Sequence, residues 1–159
     1  MSKTTPATQA LIKAGISFTL ANYDYDPNAE RVGLQAAEAM GVSPGEVFKT
    51  LMAELDGKPI CAIVPSDEEV NMKKLAAALG VGGLHHVGGL AADAERLTGY
   101  KVGGISPLGQ RKLVPTVLDE MAQLYDEIFL NGGQRGLQIR IKPDDLVKAL
   151  DCVVADLTR

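Results

Sequence analysis

The stretch Val47-Phe48-Lys49-Thr50-Leu51-Met52-Ala53-Glu54-Leu55-Asp56-Gly57-Lys58-Pro59-Ile60-Cys61-Ala62-Ile63-Val64 decides the fold class. Val47 to Leu55 reads as a strand, Asp56-Gly57 as a tight hairpin turn and Pro59 to Val64 as the return strand. Alternation within the first strand places Lys49 on the same face as Val47, Leu51, Ala53 and Leu55. A lysine that points where apolar residues point has two readings. Either its ammonium snorkels outward from the strand end, or it stands at a pocket rim and orients an anionic or carbonyl-bearing substrate.

Working outward from the hairpin, Ala7, Ala10, Leu11 and Ala14 recur at helical spacing, with Pro6 in the first turn and Gly15 as the stop. Ile16, Phe18 and Leu20 alternate up to Tyr23, and Asp26-Pro27-Asn28 signals a turn. Helices are expected over Leu34 to Met40, Asn71 to Leu79, Ala91 to Leu97 and Asp144 to Leu150. Strands are expected over Leu113 to Leu118, Glu127 to Leu130, Leu137 to Ile141 and Cys152 to Leu157. Short strands interspersed with short helices predict an α/β fold with mixed pairing rather than a doubly wound parallel sheet. No repeat or linker divides the 159 residues, so one domain over 1–159 is expected.

The apolar fraction of 46% supports a real core, built from aliphatic side chains because only Tyr and Phe supply aromatics and Trp is absent. No signal-like segment or run of about 18 apolar residues occurs, which predicts a soluble cytoplasmic protein with no membrane partner. The net charge of −4 disfavours a general basic coat for duplex DNA. It is unevenly distributed, however. Arg96 to Leu118 and Ile128 to Pro143 contain no acidic residue and carry +7 between them, which leaves −11 on the remainder. Both basic windows hold a glycine-rich turn: Gly103-Gly104-Ile105-Ser106-Pro107 and Gly132-Gly133-Gln134-Arg135-Gly136.

Neither turn has the spacing of a dinucleotide fingerprint or a phosphate loop. Adjacent glycines can bring backbone N–H groups to a carbonyl oxygen or a sugar-phosphate, or can simply shape a turn. His85-His86 lack further ligands at metal spacing, so no metal is expected. Cys61 and Cys152, with no CxxC pair, read as reduced structural thiols. Asp67-Glu68-Glu69 suits a helix entry.

Taken together, the segments Tyr23-Asp24-Tyr25-Asp26-Pro27, Val47-Phe48-Lys49-Thr50-Leu51, Thr98-Gly99-Tyr100 through Gly103-Gly104-Ile105-Ser106-Pro107-Leu108-Gly109-Gln110, and Gly132-Gly133-Gln134-Arg135-Gly136-Leu137 resemble the YbaK-type Cys-tRNA(Pro) deacylases. These are relatives of the editing domain of bacterial prolyl-tRNA synthetases. The resemblance runs over essentially the whole chain. It implies a mixed, barrel-like sheet surrounded by short helices, and a cytoplasmic enzyme that removes cysteine from mischarged tRNA without cofactor or metal. Lys49 matches the family's essential lysine, and Gly103, Gly104, Ile105, Ser106 and Pro107 match the loop framing the aminoacyl carbonyl. The implied substrate-binding positions are Tyr23, Tyr25, Phe48, Thr50, Tyr100, Asn131, Gly132, Gly133 and Arg135.

The implied partners are the tRNA 3' acceptor end and, transiently, prolyl-tRNA synthetase, with no DNA. In such enzymes the substrate's own thiol attacks the ester, or the ribose hydroxyl assists water. Three positions depart from the family pattern: Tyr25 stands in place of His, Asn131 of Ser and Gln138 of Asp. They leave Ala- and Ser-charged tRNA open as alternative substrates. A non-catalytic RNA- or nucleotide-binding module is the competing class.

Overall fold

Along the chain, the computed structural model runs α1 (Pro6–Ala14), β1 (Thr19–Asn22), α2 (Val32–Met40), β2 (Val47–Leu55), β3 (Lys58–Pro65), α3 (Met72–Ala78), β4 (Val87–Gly88), α4 (Ala91–Thr98), β5 (Thr116–Asp119), β6 (Ile128–Asn131), β7 (Leu137–Ile141), α5 (Pro143–Leu150) and β8 (Val153–Ala155). Short 3-10 turns occupy Pro44–Glu46 and Glu120–Leu124. Residues 4–28, 32–55, 57–80, 87–88 and 91–158 are described. The expected His85-His86 connection and Asp56 of the hairpin turn lie outside them.

The hairpin β2–β3 forms the middle of the sheet, with register Phe48↔Pro65 to Leu55↔Lys58. Strand order is β1-β7-β6-β2-β3-β5-β8, and β4 pairs with β2 off this path. Pairing is mixed, as expected. The β2–β6, β3–β5 and β5–β8 pairs are parallel, and the β1–β7, β6–β7 and β2–β3 pairs antiparallel. The path has two ends, β1 and β8.

Three strands start later or stop earlier than alternation predicts, each for a local reason. Gly15 takes a left-handed φ of 72°, its N–H donating to the Ile12 carbonyl and the Ile16 N–H to that of Leu11. That helix stop holds Ile16 out of β1, which begins at Thr19. Arg111 and Lys112 donate their N–H groups to the Thr98 and Leu97 carbonyls at the end of α4, so β5 begins only at Thr116. At the chain's end the Leu157 N–H turns away to Asp119 Oδ1, and β8 ends at Ala155.

Period-two alternation in β2 sorts the core onto two faces. Phe48 points into the main cluster with Cys61, Ile63, Leu118, Leu130, Ile139 and Ile141, covered by Leu11 of α1 and Leu146 of α5. The opposite face carries two smaller clusters. Val47, Phe129 and Tyr23 meet Ala36 and Ala37 of α2, whereas Ile60, Ala62, Val64 and Val117 meet Leu75 and Ala76 of α3, with Leu51 and Ala53 packed against them. Lys49 falls between Val47 and Leu51 on this face, hence in the interval between the two helix-covered patches.

Asp119 is fully buried and accepts from the Met121 N–H through Oδ2 and the Leu157 N–H through Oδ1. It caps the 3-10 turn after β5 and anchors the C-terminal segment. Asp119→Ala leaves both donors without a partner and is expected to lower stability by on the order of 3 kcal/mol, read as a shift in the urea unfolding midpoint.

Candidate functional site

The two glycine turns are far apart in sequence and meet through Asn131, the last residue of β6. Asn131 is buried. Its Oδ1 accepts from the Gly133 N–H at 2.7 Å and the Gln134 N–H at 3.2 Å, and its Nδ2 donates to the Gly103 carbonyl at 3.2 Å. Arg135 adds a second link, with Nε donating to the Val102 carbonyl at 2.9 Å and the guanidinium 5.4 Å from the centre of the Tyr25 ring. Contact is close enough to require glycine. A Cβ on Gly104 would stand 2.8 Å from the Arg135 backbone nitrogen, and one on Gly103, whose φ is 93°, would stand 2.5 Å from the Tyr25 hydroxyl. From the other side, the Thr5 hydroxyl at the N-cap of α1 donates to the Gly132 carbonyl at 2.6 Å.

Lys49 joins this assembly through strand register. In the parallel β2–β6 pair, Val47 lies opposite Phe129 and Phe48 opposite Leu130, so Lys49 comes abreast of Asn131 one step further on. Asn131 is in turn opposite Gln138 in β7, and Gln138 opposite Ala21 in β1. Because Val47 and Phe129 share the α2 face, alternation puts Lys49, Asn131 and Gln138 on that face as one polar row across three strands. Lys49 is half-buried there.

Tyr23 lies on the same face and is buried, and its N–H donates to the Gly136 carbonyl at 2.9 Å. Burial raises the Tyr23 phenol, with the Gly136 backbone opposing in part. Among the described residues the hydroxyl has no hydrogen-bond partner of normal geometry.

Of the residues singled out from sequence, Lys49, Tyr23, Tyr25, Gly103, Gly104, Asn131, Gly132, Gly133 and Arg135 converge on this edge. Others do not. Phe48 is buried in the main core on the opposite face, and alternation turns Thr50 the same way. The Thr50 hydroxyl is buried and unpartnered there. Ser106 is fully buried and its Oγ accepts from the Leu108 N–H at 3.2 Å. Ile105 packs against the main core, and Pro107 lines a separate cavity of about 250 Å³ with Leu108, Gln110, Thr116 and Leu150. The Gly103 to Pro107 loop therefore offers backbone at its first half and packing at its second. Tyr100 is buried and donates to the Leu108 carbonyl at 2.6 Å, while its ring supports Gly133.

Gln138 and Gln35 are the polar side chains that sequence reasoning passed over as site residues. Both amide oxygens are buried without a hydrogen-bond partner among the described residues. For Gln138 alternation gave no signal, because it shares a face with exposed Arg140, opposite the core residues Ile139 and Ile141. Arg140, counted in the basic windows, is engaged by Glu127 at 3.2 Å and lies over the Phe129 ring. Cys61 is wholly buried in the main core, where burial pushes its thiol up to about 12, and Cys152 is shifted the same way. Among the described residues, no group of three or more His, Cys, Asp or Glu is placed to hold a metal. Nor is any described helix long and apolar enough to cross a membrane.

A family model described as an aminoacyl-tRNA editing domain matches residues 26–149. A protein of Enterococcus faecalis bearing the name Cys-tRNA(Pro)/Cys-tRNA(Cys) deacylase EbsC is 38% identical over 126 residues, which is 77% of this chain and 74% of that one. A proline–tRNA ligase of Thermoanaerobacter sp. is 29% identical over 105 residues, 65% of this chain but 18% of the ligase. Among solved structures, one described as a trans-editing enzyme for prolyl tRNA synthetase shares the fold, with a TM-score of 0.81 at 24% identity over 97% of this chain and 95% of the other.

Asn131→Ala removes the bridge between the glycine turns and leaves three part-buried backbone groups without their partner. A loss of about 2–4 kcal/mol is expected in urea unfolding, larger than a surface Asn would cost. The raised thiols predict alkaline sensitivity. Between the ordinary value of 9.0 and the folded value of about 12, the unfolded chain loses the Cys61 proton more readily, so stability is intact below pH 9 and falls as pH rises toward 12. Native protein at pH 8 should leave Cys61 unalkylated by iodoacetamide, and urea should expose it.

Proposed function

The chain belongs to the aminoacyl-tRNA editing domain family, and from that premise we propose that it deacylates mischarged tRNA, with Cys-tRNA(Pro) as the preferred substrate and Cys-tRNA(Cys) as a second. The observation that carries the reading is that the β2–β6 register brings Lys49 level with Asn131, the residue that joins the two glycine turns. A cation beside close-packed backbone suits an ester carbonyl and the phosphate or ribose next to it. Strands β1 and β8 lie outside the matched residues yet complete the sheet, which supports an editing domain that extends over 1–159.

Lys49 positions the terminal adenosine and draws the ester carbonyl into place. The Gly103 N–H is the backbone donor for the oxygen as negative charge develops on it, the Gly104 N–H being held by the Lys101 carbonyl. The substrate thiol, held near the carbonyl, gives up its proton and attacks the carbonyl carbon. The ester C–O bond breaks, the ribose oxygen takes a proton, and the cyclic thioester left behind is opened by water to free cysteine. The protein's own candidate nucleophiles are turned elsewhere, Cys61 into the main core and Ser106 toward Leu108.

The Tyr25–Arg135 pair, with exposed Lys101 nearby in the loop, forms a cationic and aromatic edge suited to an unpaired acceptor end. Prolyl-tRNA synthetase supplies the mischarged tRNA in a transient complex, and a tRNA substrate places the reaction in the cytoplasm. The proline–tRNA ligase relatives support that pairing.

Purified protein should release cysteine from Cys-tRNA(Pro) and leave Pro-tRNA(Pro) intact. Lys49→Ala should lower kcat/KM at least 100-fold with the unfolding temperature changed by only a few degrees. Ser-tRNA(Pro), with a hydroxyl in place of the thiol, should react at least 100-fold more slowly, whereas equal rates would point to water as the attacking group. Binding of the acceptor end with every ester left intact would replace the deacylase by an RNA-binding module.

A further inference from the structure

We propose that Gln138 is a specificity-determining residue whose amide oxygen receives the free α-ammonium group of the aminoacyl ester; this rests on the deacylase reading above. Gln138 is only 3% exposed and its Oε1 has no hydrogen-bond partner among the described residues. An unpaired buried carbonyl is costly, and a native fold that keeps one beside a candidate site needs a physical reason. Asn131, the neighbour opposite it in register, has its Oδ1 and one Nδ2 hydrogen taken up by the two glycine turns and makes no hydrogen bond to it among the described residues. Also on this face is the Tyr23 hydroxyl, on a residue 9% exposed, with no hydrogen-bond partner of normal geometry among the described residues. Tyr23 is diagonal to Gln138, because Ala21 is opposite Gln138 and the Tyr23 N–H reaches Gly136.

The chemistry of the row selects the ligand group. At one end Lys49 offers a cation, which attracts the carbonyl and phosphate oxygens and repels another ammonium. At the other end, two strand spacings or about 10 Å away, Gln138 offers an acceptor. Phosphate and carbonyl oxygens are acceptors themselves and cannot pair with Oε1. The α-ammonium can, as the cationic donor of the aminoacyl group, and a charge-assisted bond is the stronger kind in a half-buried site. The Tyr23 hydroxyl accepts from the same group, and its ring favours a nearby cation. The row is therefore read as an acceptor-to-cation gradient matched to the ammonium-to-carbonyl direction of the substrate, with Gln138 turning its amide to meet the ligand.

The test compares Cys-tRNA(Pro) with 3-mercaptopropionyl-tRNA(Pro), which keeps the thiol and ester and lacks the amine. Rates are divided by each ester's uncatalysed rate in the same buffer. Wild type should prefer the free-amine ester by tenfold or more in kcat/KM. Gln138→Leu should bring that corrected ratio down toward one, and Gln138→Glu, which keeps an acceptor, should hold it high. Thermal unfolding of both variants checks the fold. A ratio unchanged in Gln138→Leu, or already near one in wild type, overturns the proposal while leaving the deacylase standing. Wild type inert on both esters overturns the deacylase reading and this proposal together.

Discussion

Asn131 makes three hydrogen bonds from one buried amide, and the geometry of the site depends on them. A strand that runs out into two glycines has no intrinsic shape beyond its last pair, because glycine leaves many backbone conformations open. The side chain immediately before the glycines removes that freedom by accepting from the Gly133 and Gln134 N–H groups. Its remaining donor reaches across 28 positions of sequence to the Gly103 carbonyl. Each bond contributes about 1 kcal/mol net, yet together they determine where two otherwise unrelated loops sit. Thr5 and Tyr100 support the same turn from below, so the helix α1 cap and the site share a structural element.

The sheet supplies the second requirement, a charged side chain delivered to that edge. In the parallel β2–β6 pair, Lys49 arrives beside Asn131 because the register is set by apolar neighbours one and two residues earlier, Phe48 with Leu130 and Val47 with Phe129. A shift of one residue would bury Lys49 in the main core and turn Phe48 outward. The energetics of ordinary core packing thus position the cation. Two helices cover the same face on either side of it, each through small side chains, Ala36 and Ala37 in α2 and Ala76 in α3.

The site contains few groups suited to chemical attack on a substrate. Its polar content is backbone, amides, one lysine, phenols and an arginine stacked on Tyr25. Such a surface can hold and polarise an ester. The cysteine thiols are shifted upward by burial and the serine of the loop is turned into the interior. A reaction that draws its nucleophile from the substrate or from water fits these constraints, and the uneven charge along the chain fits a partner that presents one phosphate-rich end. Even there the sequence count needed correction: Arg140 belongs to a basic window but serves Glu127 and Phe129.

By itself the sequence determined the hairpin, the mixed α/β class and the face on which Lys49 lies, because these follow from period-two alternation and turn chemistry within a few neighbouring residues. It also marked both glycine turns and Asn131. Strand ends were less legible, since the Gly15 stop and the Leu157 to Asp119 bond are capping events that alternation does not encode. Tertiary structure alone decided that Ser106 and Pro107 turn inward while Tyr23 and Tyr25 reach the site, and that Gln138 joins Lys49 and Asn131 in one row. The physical reason is that a row across a sheet depends on the pairing of β2, β6 and β7, and the β2–β6 pair joins segments far apart in sequence, Val47 with Phe129, by the burial of side chains that carry no functional signature.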